Sequence, residues 1–219
     1  GYSTEGRSIR ALGIGNPGCG NLMLILGRQH PPELTGYKAM KAFGFSFFDD
    51  SLSSVRQFKE ENYIVWIPTV NPDGVANGHW RHNASGVDLN RDWADFKQVE
   101  TRVIRDAVDS LINEFSDRRL RLVIDFHSTW SDIYYVVPGG ADSLVLPMIQ
   151  RSNERCGTQA HINVRPEGEA PVTAMAYFNR KYGAETLTYE VADTTAEHIY
   201  KWKSNAAATA LMEIMNSRP

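Results

Sequence analysis

Short apolar runs alternate along this chain with segments whose apolar residues recur every three or four positions. That alternation predicts the elements. Residues 22–26 form a continuous apolar run of strand length, and residues 8–12 alternate weakly. The breaker cluster Gly15-Asn16-Pro17-Gly18-Cys19-Gly20 between them predicts two strands joined by a turn. A proline is tolerated in a first helical turn, so a helix is expected from near Pro32 to about Phe43, followed by a second helical piece over 51–59. Residues 63–68 are rich in β-formers and predict a strand. Val99, Val103, Ala107, Val108, Leu111, Ile112 and Phe115 recur at helical spacing and predict a helix over 96–115. Strands are then expected over 120–126 and 132–137, the latter closed by Pro138-Gly139-Gly140. A helix over 143–156, an irregular region over 160–170, a helix over 172–182, a strand over 186–191 and a long Thr-capped helix over 195–215 complete the chain.

Strands alternating with helices predict an α/β fold, a three-layer sandwich with a central mixed, mainly parallel β-sheet flanked by helices. At 219 residues and 42% apolar, with no repeat or interdomain linker, residues 1–219 are expected to form one domain with a full core. The formal charge of −3 gives no reason to expect nucleic acid as a partner, and no apolar run approaches the length of a membrane span. Gly1 rather than Met leads the chain, which leaves a removed leader or trimmed ends open. Two cysteines, Cys19 and Cys156, are either one bridge or two free thiols. With no visible signal segment and so few cysteines, the cytoplasm is the favoured location. No pattern sets an oligomeric state.

In such a sheet, ligands gather past the carboxyl ends of the strands. Four expected strand exits each deliver reactive side chains there: His30 with Glu33, His127, Glu190, and the stretch 68–93. That stretch reads as a long polar loop held by Asn71-Pro72 and Asp73-Gly74 turns, and it carries Arg81, Asp88, Asn90 and Arg91. His30 and Glu33, three apart at a helix start, fall on one side of the first turn and can share a cation. With His127 they make a His2Glu set that leaves a fourth position open, the catalytic type of zinc site. A lone His-x-x-Glu at a helix start is otherwise an ordinary solvated feature.

Seven blocks in order then resemble the zinc carboxypeptidases of the M14 (carboxypeptidase A-like) family, in its compact bacterial or cytosolic branch. They are Gly1-Tyr2-Ser3-Thr4-Glu5-Gly6-Arg7-Ser8-Ile9, His30-Pro31-Pro32-Glu33, Asn71-Pro72-Asp73-Gly74, Arg81, Gly86-Val87-Asp88-Leu89-Asn90-Arg91, His127-Ser128 and Thr188-Tyr189-Glu190. The resemblance implies a zinc-dependent carboxypeptidase acting on a C-terminal peptide or isopeptide bond, with one Zn²⁺ per chain held by His30, Glu33 and His127. It implies that Glu190 is the general base for the zinc-bound water, and that Arg81 stabilises the developing oxyanion. Asn90 and Arg91 would hold the substrate's free carboxylate, for which a guanidinium fork is suited. Asp88 would hydrogen-bond His30 and fix its tautomer. The tyrosine that closes over substrate in the family has no counterpart here; the corresponding neighbourhood reads Pro166-Glu167-Gly168-Glu169-Ala170.

Two other readings stay beside it. One is an N-acyl amino-acid deacylase of the aspartoacylase or succinylglutamate desuccinylase type, acting on an acylated amino acid. The other is a catalytically silent, zinc-bearing binding module. Several polar residues are expected to be structural: His79, His82, His161 and His198 on the surface, and Asn83 bracing its loop. Tyr177 is expected in the core, as are Phe43, Phe45, Phe47 and Phe48. Asp125, in the strand just ahead of His127, is expected on the opposite face. Glu185 and Asp193 are the two acids that could pair with Glu190 or replace it.

Overall fold

A computed structural model of the chain describes residues 1–137, 143–157, 161–166 and 172–218. Seven strands, β1 (Leu12–Gly15), β2 (Asn21–Gly27), β3 (Asn62–Ile67), β4 (Arg119–Thr129), β5 (Ile133–Val137), β6 (Asn163–Pro166) and β7 (Glu185–Ala192), form one sheet in the order β1-β3-β2-β4-β7-β5-β6. The β3-β2-β4-β7 centre and the β5-β6 pair are parallel, and β1-β3 and β5-β7 are antiparallel. The helices are α1 (Leu34–Phe45), α2 (Ser53–Glu61), α3 (Pro72–Asn77), α4 (Val99–Asn113), α5 (Val145–Cys156), α6 (Ala174–Tyr182) and α7 (Glu197–Asn216). This is the expected mixed, mainly parallel α/β sandwich.

The apolar run of β2 shows why it is continuous. Side chains alternate between faces, and both faces are covered. Met23 and Ile25 pack among residues of α1, α2, α5 and α7, whereas Leu22, Leu24 and Leu26 pack among residues of α4 and α6 with Leu89 and Trp93. The parallel central strands therefore end together at one edge, where the candidate side chains emerge.

Several expectations are corrected. The first strand lies at Leu12–Gly15, not 8–12, and it pairs with β3 rather than with β2. At Gly13 the Tyr63 side chain of β3 lies across the position that a Cβ would occupy. The stretch 68–93 is not all loop. Asn71 caps α3 by accepting the Gly74 N–H at 2.9 Å, with Pro72 in the first turn and Gly78 ending the helix at φ +67°. Asn-Pro-Asp-Gly thus serves as a helix start, because the residues that favour turns also favour N-caps. Within the region expected to be irregular, 163–166 forms β6. The N-cap of α7 is Ala196, with no side-chain cap. Phe43 and Phe47 are buried, but Phe45 and Phe48 are exposed. Pro138-Gly139-Gly140 and 167–170 lie outside the described residues. Cys19 and Cys156 are both free thiols, and no helix among the described residues is long and apolar enough to cross a membrane.

The first seven residues are tied to the stretch 68–93 through Asp73. Its buried carboxylate accepts from Ser3 Oγ at 2.6 Å, the Glu5 N–H at 2.8 Å and Arg7 Nη1 at 2.8 Å. Burial pushes Asp73 up, but these three donors outweigh it and hold the carboxyl below its ordinary value. A depressed folded pKa contributes stability that is present above the unfolded value, about 3.9, and lost as pH falls through the folded one. Asp73→Asn should therefore cost about 1–3 kcal/mol at pH 7, since it leaves the buried donors poorly satisfied. The gap to the wild type should narrow as the unfolded carboxylate protonates below about pH 4 and close as the pH falls through the lower folded value. Urea unfolding at both pH values measures it; a gap independent of pH would mean that Asp73 charge plays no part.

Candidate active site

Three side chains meet at the carboxyl edge of the sheet. His30 sits in the turn between β2 and α1, Glu33 is the N-cap residue of α1, and His127 lies near the end of β4. His30 Nδ1 is 2.7 Å from Glu33 Oε1, His127 Nδ1 is 2.9 Å from Glu33 Oε2, and the two Nδ1 atoms are 3.2 Å apart. One donor atom from each residue falls within 4.8 Å of the others. Gly36 makes this approach possible. A side chain there would overlap the His127 carbonyl, and its N–H instead donates to Ser128 Oγ at 2.8 Å. The first turn of α1 is thereby docked onto the end of β4.

The outward nitrogens of both imidazoles are held by acids. His30 Nε2 lies 3.1 Å from Asp88 Oδ1, as expected. His127 Nε2 lies 2.8 Å from Asp125 Oδ2. Asp125 is therefore on the same face as His127, not the opposite one. Two residues apart in a strand is one full pleat period, and that spacing was the available signal. Behind it, Gln29 Nε2 donates to Asp125 Oδ2 while Gln29 Oε1 accepts from Trp93 Nε1 at 2.9 Å. Gln29, Asp125 and His127 are almost fully buried, so this chain of bonds fixes the ring with little freedom. Sequence reasoning assigned no role to Gln29 or Trp93; neither residue type nor spacing announces such a contact.

Burial pushes the Glu33 carboxyl up, but the two imidazoles outweigh it and bring it down to about 2. Burial lowers His127, yet Asp125 and Glu33 raise it well above its ordinary value. Asp88 is pushed up by burial and brought down further by His30 and Arg81. Arg81 Nε donates to Asp88 Oδ2 at 2.7 Å, so a single carboxylate holds both the imidazole and the guanidinium.

Glu190 faces His127 directly across the β4–β7 ladder. Its Oε2 is buried with no hydrogen-bond partner, and burial raises its pKa above the usual carboxylate range. Of the two alternative acids, Glu185 is engaged elsewhere, whereas Asp193 lines a cleft together with His30 and Glu33. Glu185 accepts from the Leu144 and Val145 N–H groups and from Ser143 Oγ at the start of α5. Asp193 is exposed at the end of β7. Asn90 and Arg91 occupy a 3-10 turn, Leu89–Arg91, that begins from Asp88. Asn90 Oδ1 accepts from the Ala174 N–H at 3.0 Å, and the exposed Arg91 donates Nη1 to the Asn90 carbonyl at 2.8 Å.

A cleft of about 440 Å³ opens over this group, lined by His30, Pro32, Glu33, Trp80, Arg81, Ser128, Thr129, Trp130 and Asp193. Asn90, Arg91 and Glu190 are not among the described lining residues. Asn83 is buried and braces its loop, accepting from the Ser85 and Val87 N–H groups and donating to Gln98 and Glu100. His79 also braces it through the His82 and Asn83 carbonyls. Tyr177 is in the core against Trp93, Phe96 and Phe178.

Residues 1–214 match the Peptidase M14 family model, described as zinc carboxypeptidase. The chain belongs to the zinc carboxypeptidase family. Among curated relatives, an uncharacterised protein of Zymomonas mobilis is 36% identical over 95 residues, covering 43% of this chain and 24% of that protein. Cytosolic carboxypeptidase 2 of Xenopus tropicalis is 29% identical over 133 residues, covering 57% of this chain and 14% of its own length. The chain thus spans a quarter or less of these relatives. The crystal structure of a metallo-carboxypeptidase from Burkholderia cenocepacia superposes with a TM-score of 0.78 at 18% identity, over 98% of this chain and 63% of that one. The zinc carboxypeptidase fold is therefore common to chains of very different sequence.

The donor set fits the metal that the family name specifies. Two imidazoles and a carboxylate converge through inner atoms, each imidazole has an acid on its outer nitrogen, and the group opens onto a cleft. That is the composition of an open, catalytic zinc site with its supporting acids.

Proposed function

We propose that this chain is a zinc-dependent metallocarboxypeptidase that hydrolyses a C-terminal peptide or isopeptide bond. The observation that carries this reading is the convergence of the two inner Nδ1 atoms and the Glu33 carboxylate, with Glu190, whose Oε2 is buried and without a hydrogen-bond partner, opposite His127 on the next strand. His30, Glu33 and His127 would hold one Zn²⁺. When bound, that ion supplies Lewis-acid charge at the reacting carbonyl and lowers the pKa of the attacking water. Glu190 accepts the proton from the water and passes it to the departing amine; a carboxyl raised by burial is suited to both transfers. Arg81, oriented by Asp88, donates to the oxyanion as it develops. Asp88 and Asp125 hold the two imidazoles in one tautomer. Asn90 and Arg91 take the free carboxylate. The cytosolic carboxypeptidase relatives also support the cytoplasm as its location.

Zinc-loaded protein should release the C-terminal residue from a panel of peptides and stop when a chelator removes the metal. If it cuts N-acyl amino acids and leaves the peptides whole, the deacylase reading replaces this one. If it cuts neither, the catalytic assignment fails. Within the panel, Arg91→Ala should weaken hydrolysis of free-acid peptides about tenfold to hundredfold, the loss expected for a hydrogen bond to a charged group. It should leave hydrolysis of amidated peptides nearly unchanged. Equal loss on both would mean that Arg91 does not read the terminus.

A further inference from the structure

Trp80 and Trp130 are 82% and 93% exposed, the two most exposed large apolar side chains described. A single exposed apolar residue is ordinary. These two come from separate segments, one just before Arg81 and one just after β4, and both line the cleft that contains His30 and Glu33. Asp193 lines the same cleft. Its main chain is fixed, with its N–H donating to the Thr129 carbonyl at 2.8 Å and its own carbonyl accepting from Thr35 Oγ1 at 3.2 Å. Among the described residues no hydrogen bond or ion pair engages its carboxylate, which is exposed.

The charges of the lining decide what two indoles and a carboxylate would take. Glu33 is engaged by the imidazoles. Arg81, the one Arg or Lys among the described lining residues, is paired with Asp88. Away from the metal group and the Arg81–Asp88 pair, the charge on the wall is the negative one of Asp193. Indole faces attract cations through the ring quadrupole, and a carboxylate at the same rim adds to the attraction. We propose that Trp80, Trp130 and Asp193 form a subsite for a cationic side chain, a lysine or arginine, on the residue immediately upstream of the scissile bond. The position follows from the cleft. It includes Arg81, assigned to the scissile carbonyl, and excludes Asn90 and Arg91, assigned to the terminal carboxylate, so this wall lies on the acyl side. The inference rests on the carboxypeptidase reading for that placement.

Two amidated tripeptides, acetyl-Ala-Lys-Phe-NH₂ and its norleucine counterpart, test the subsite without any need for hydrolysis. Titrated into zinc-loaded protein and followed by tryptophan fluorescence, the lysine peptide should bind about tenfold tighter than the norleucine peptide. Asp193→Asn and Trp130→Ala, both exposed positions that leave the fold intact, should each narrow that gap, and the Asp193 share should shrink as salt is raised. Equal affinities for the two peptides, or no binding of either, overturn the subsite. Hydrolysis of the free-acid forms is then measured separately. If the binding gap is present and neither free acid is cut, the carboxypeptidase reading and the placement beside a scissile bond fall, while cation binding by Trp80, Trp130 and Asp193 stands. If both are cut at equal rates and the amides bind equally, the subsite falls and the carboxypeptidase reading stands.

Discussion

Glu190→Gln is expected to lower peptide hydrolysis by about a hundredfold to ten-thousandfold, the range associated with loss of a positioned general base. Glutamine keeps the shape of the side chain and loses the ability to accept a proton. The position makes the experiment clean. Glu190 is held by the β4–β7 ladder beside His127, and its buried Oε2 has no partner that the substitution would strand. Burial of the charged form already raises its pKa, so removing that charge should leave the melting temperature equal to or above that of the wild type. Zinc uptake should also be unchanged, because His30, Glu33 and His127 are untouched. Steady-state kinetics with a metal assay and thermal unfolding check the three statements together. A variant with near wild-type kcat would move the base to another group. One with low activity and low zinc content would show that Glu190 acts through the metal group.

His127→Ala should reduce zinc after dialysis from one ion per chain to nearly none, as measured by elemental analysis. It should also cost about 3–5 kcal/mol of stability, because Asp125 would become a buried charge with only the neutral Gln29 amide beside it. Unfolding of that variant could by itself remove the metal, so Asp125→Asn provides the separate test. It keeps the size and most of the packing, and should lower zinc affinity about tenfold to hundredfold. Retention of stoichiometric zinc by His127→Ala, or wild-type affinity in Asp125→Asn, would contradict the metal assignment.

The elements of this fold were largely legible in the chain because its apolar periods are strong. The run at 22–26 and the helical spacing over 96–115 give β2 and α4 directly. Boundaries failed where one residue type serves two purposes. Asn71-Pro72-Asp73-Gly74 is turn chemistry and helix-start chemistry alike; here Asn71 caps α3, and Asp73 ties the first turn to the first seven residues. The pairing of β1 with β3 was also hidden, since chain order does not set neighbour order in a sheet.

For the site, the sequence by itself placed His30, Glu33, His127 and Glu190 at expected strand exits, where residue type and spacing limit the available chemistry, while the roles expected of Glu190, Arg81 and Asp88 came from the resemblance to the zinc carboxypeptidases. The tertiary structure decided how they are held. It brought His30 and His127 to 3.2 Å across 97 positions of chain, through Gly36 letting α1 close onto β4. It moved Asp125 from an expected bystander to the partner of His127, and buried Gln29 and Trp93 behind it. It also set Trp80, Trp130 and Asp193 on one wall. Contacts of this kind join residues far apart in sequence, and local pattern carries no information about which distant side chain will fill a given hydrogen bond.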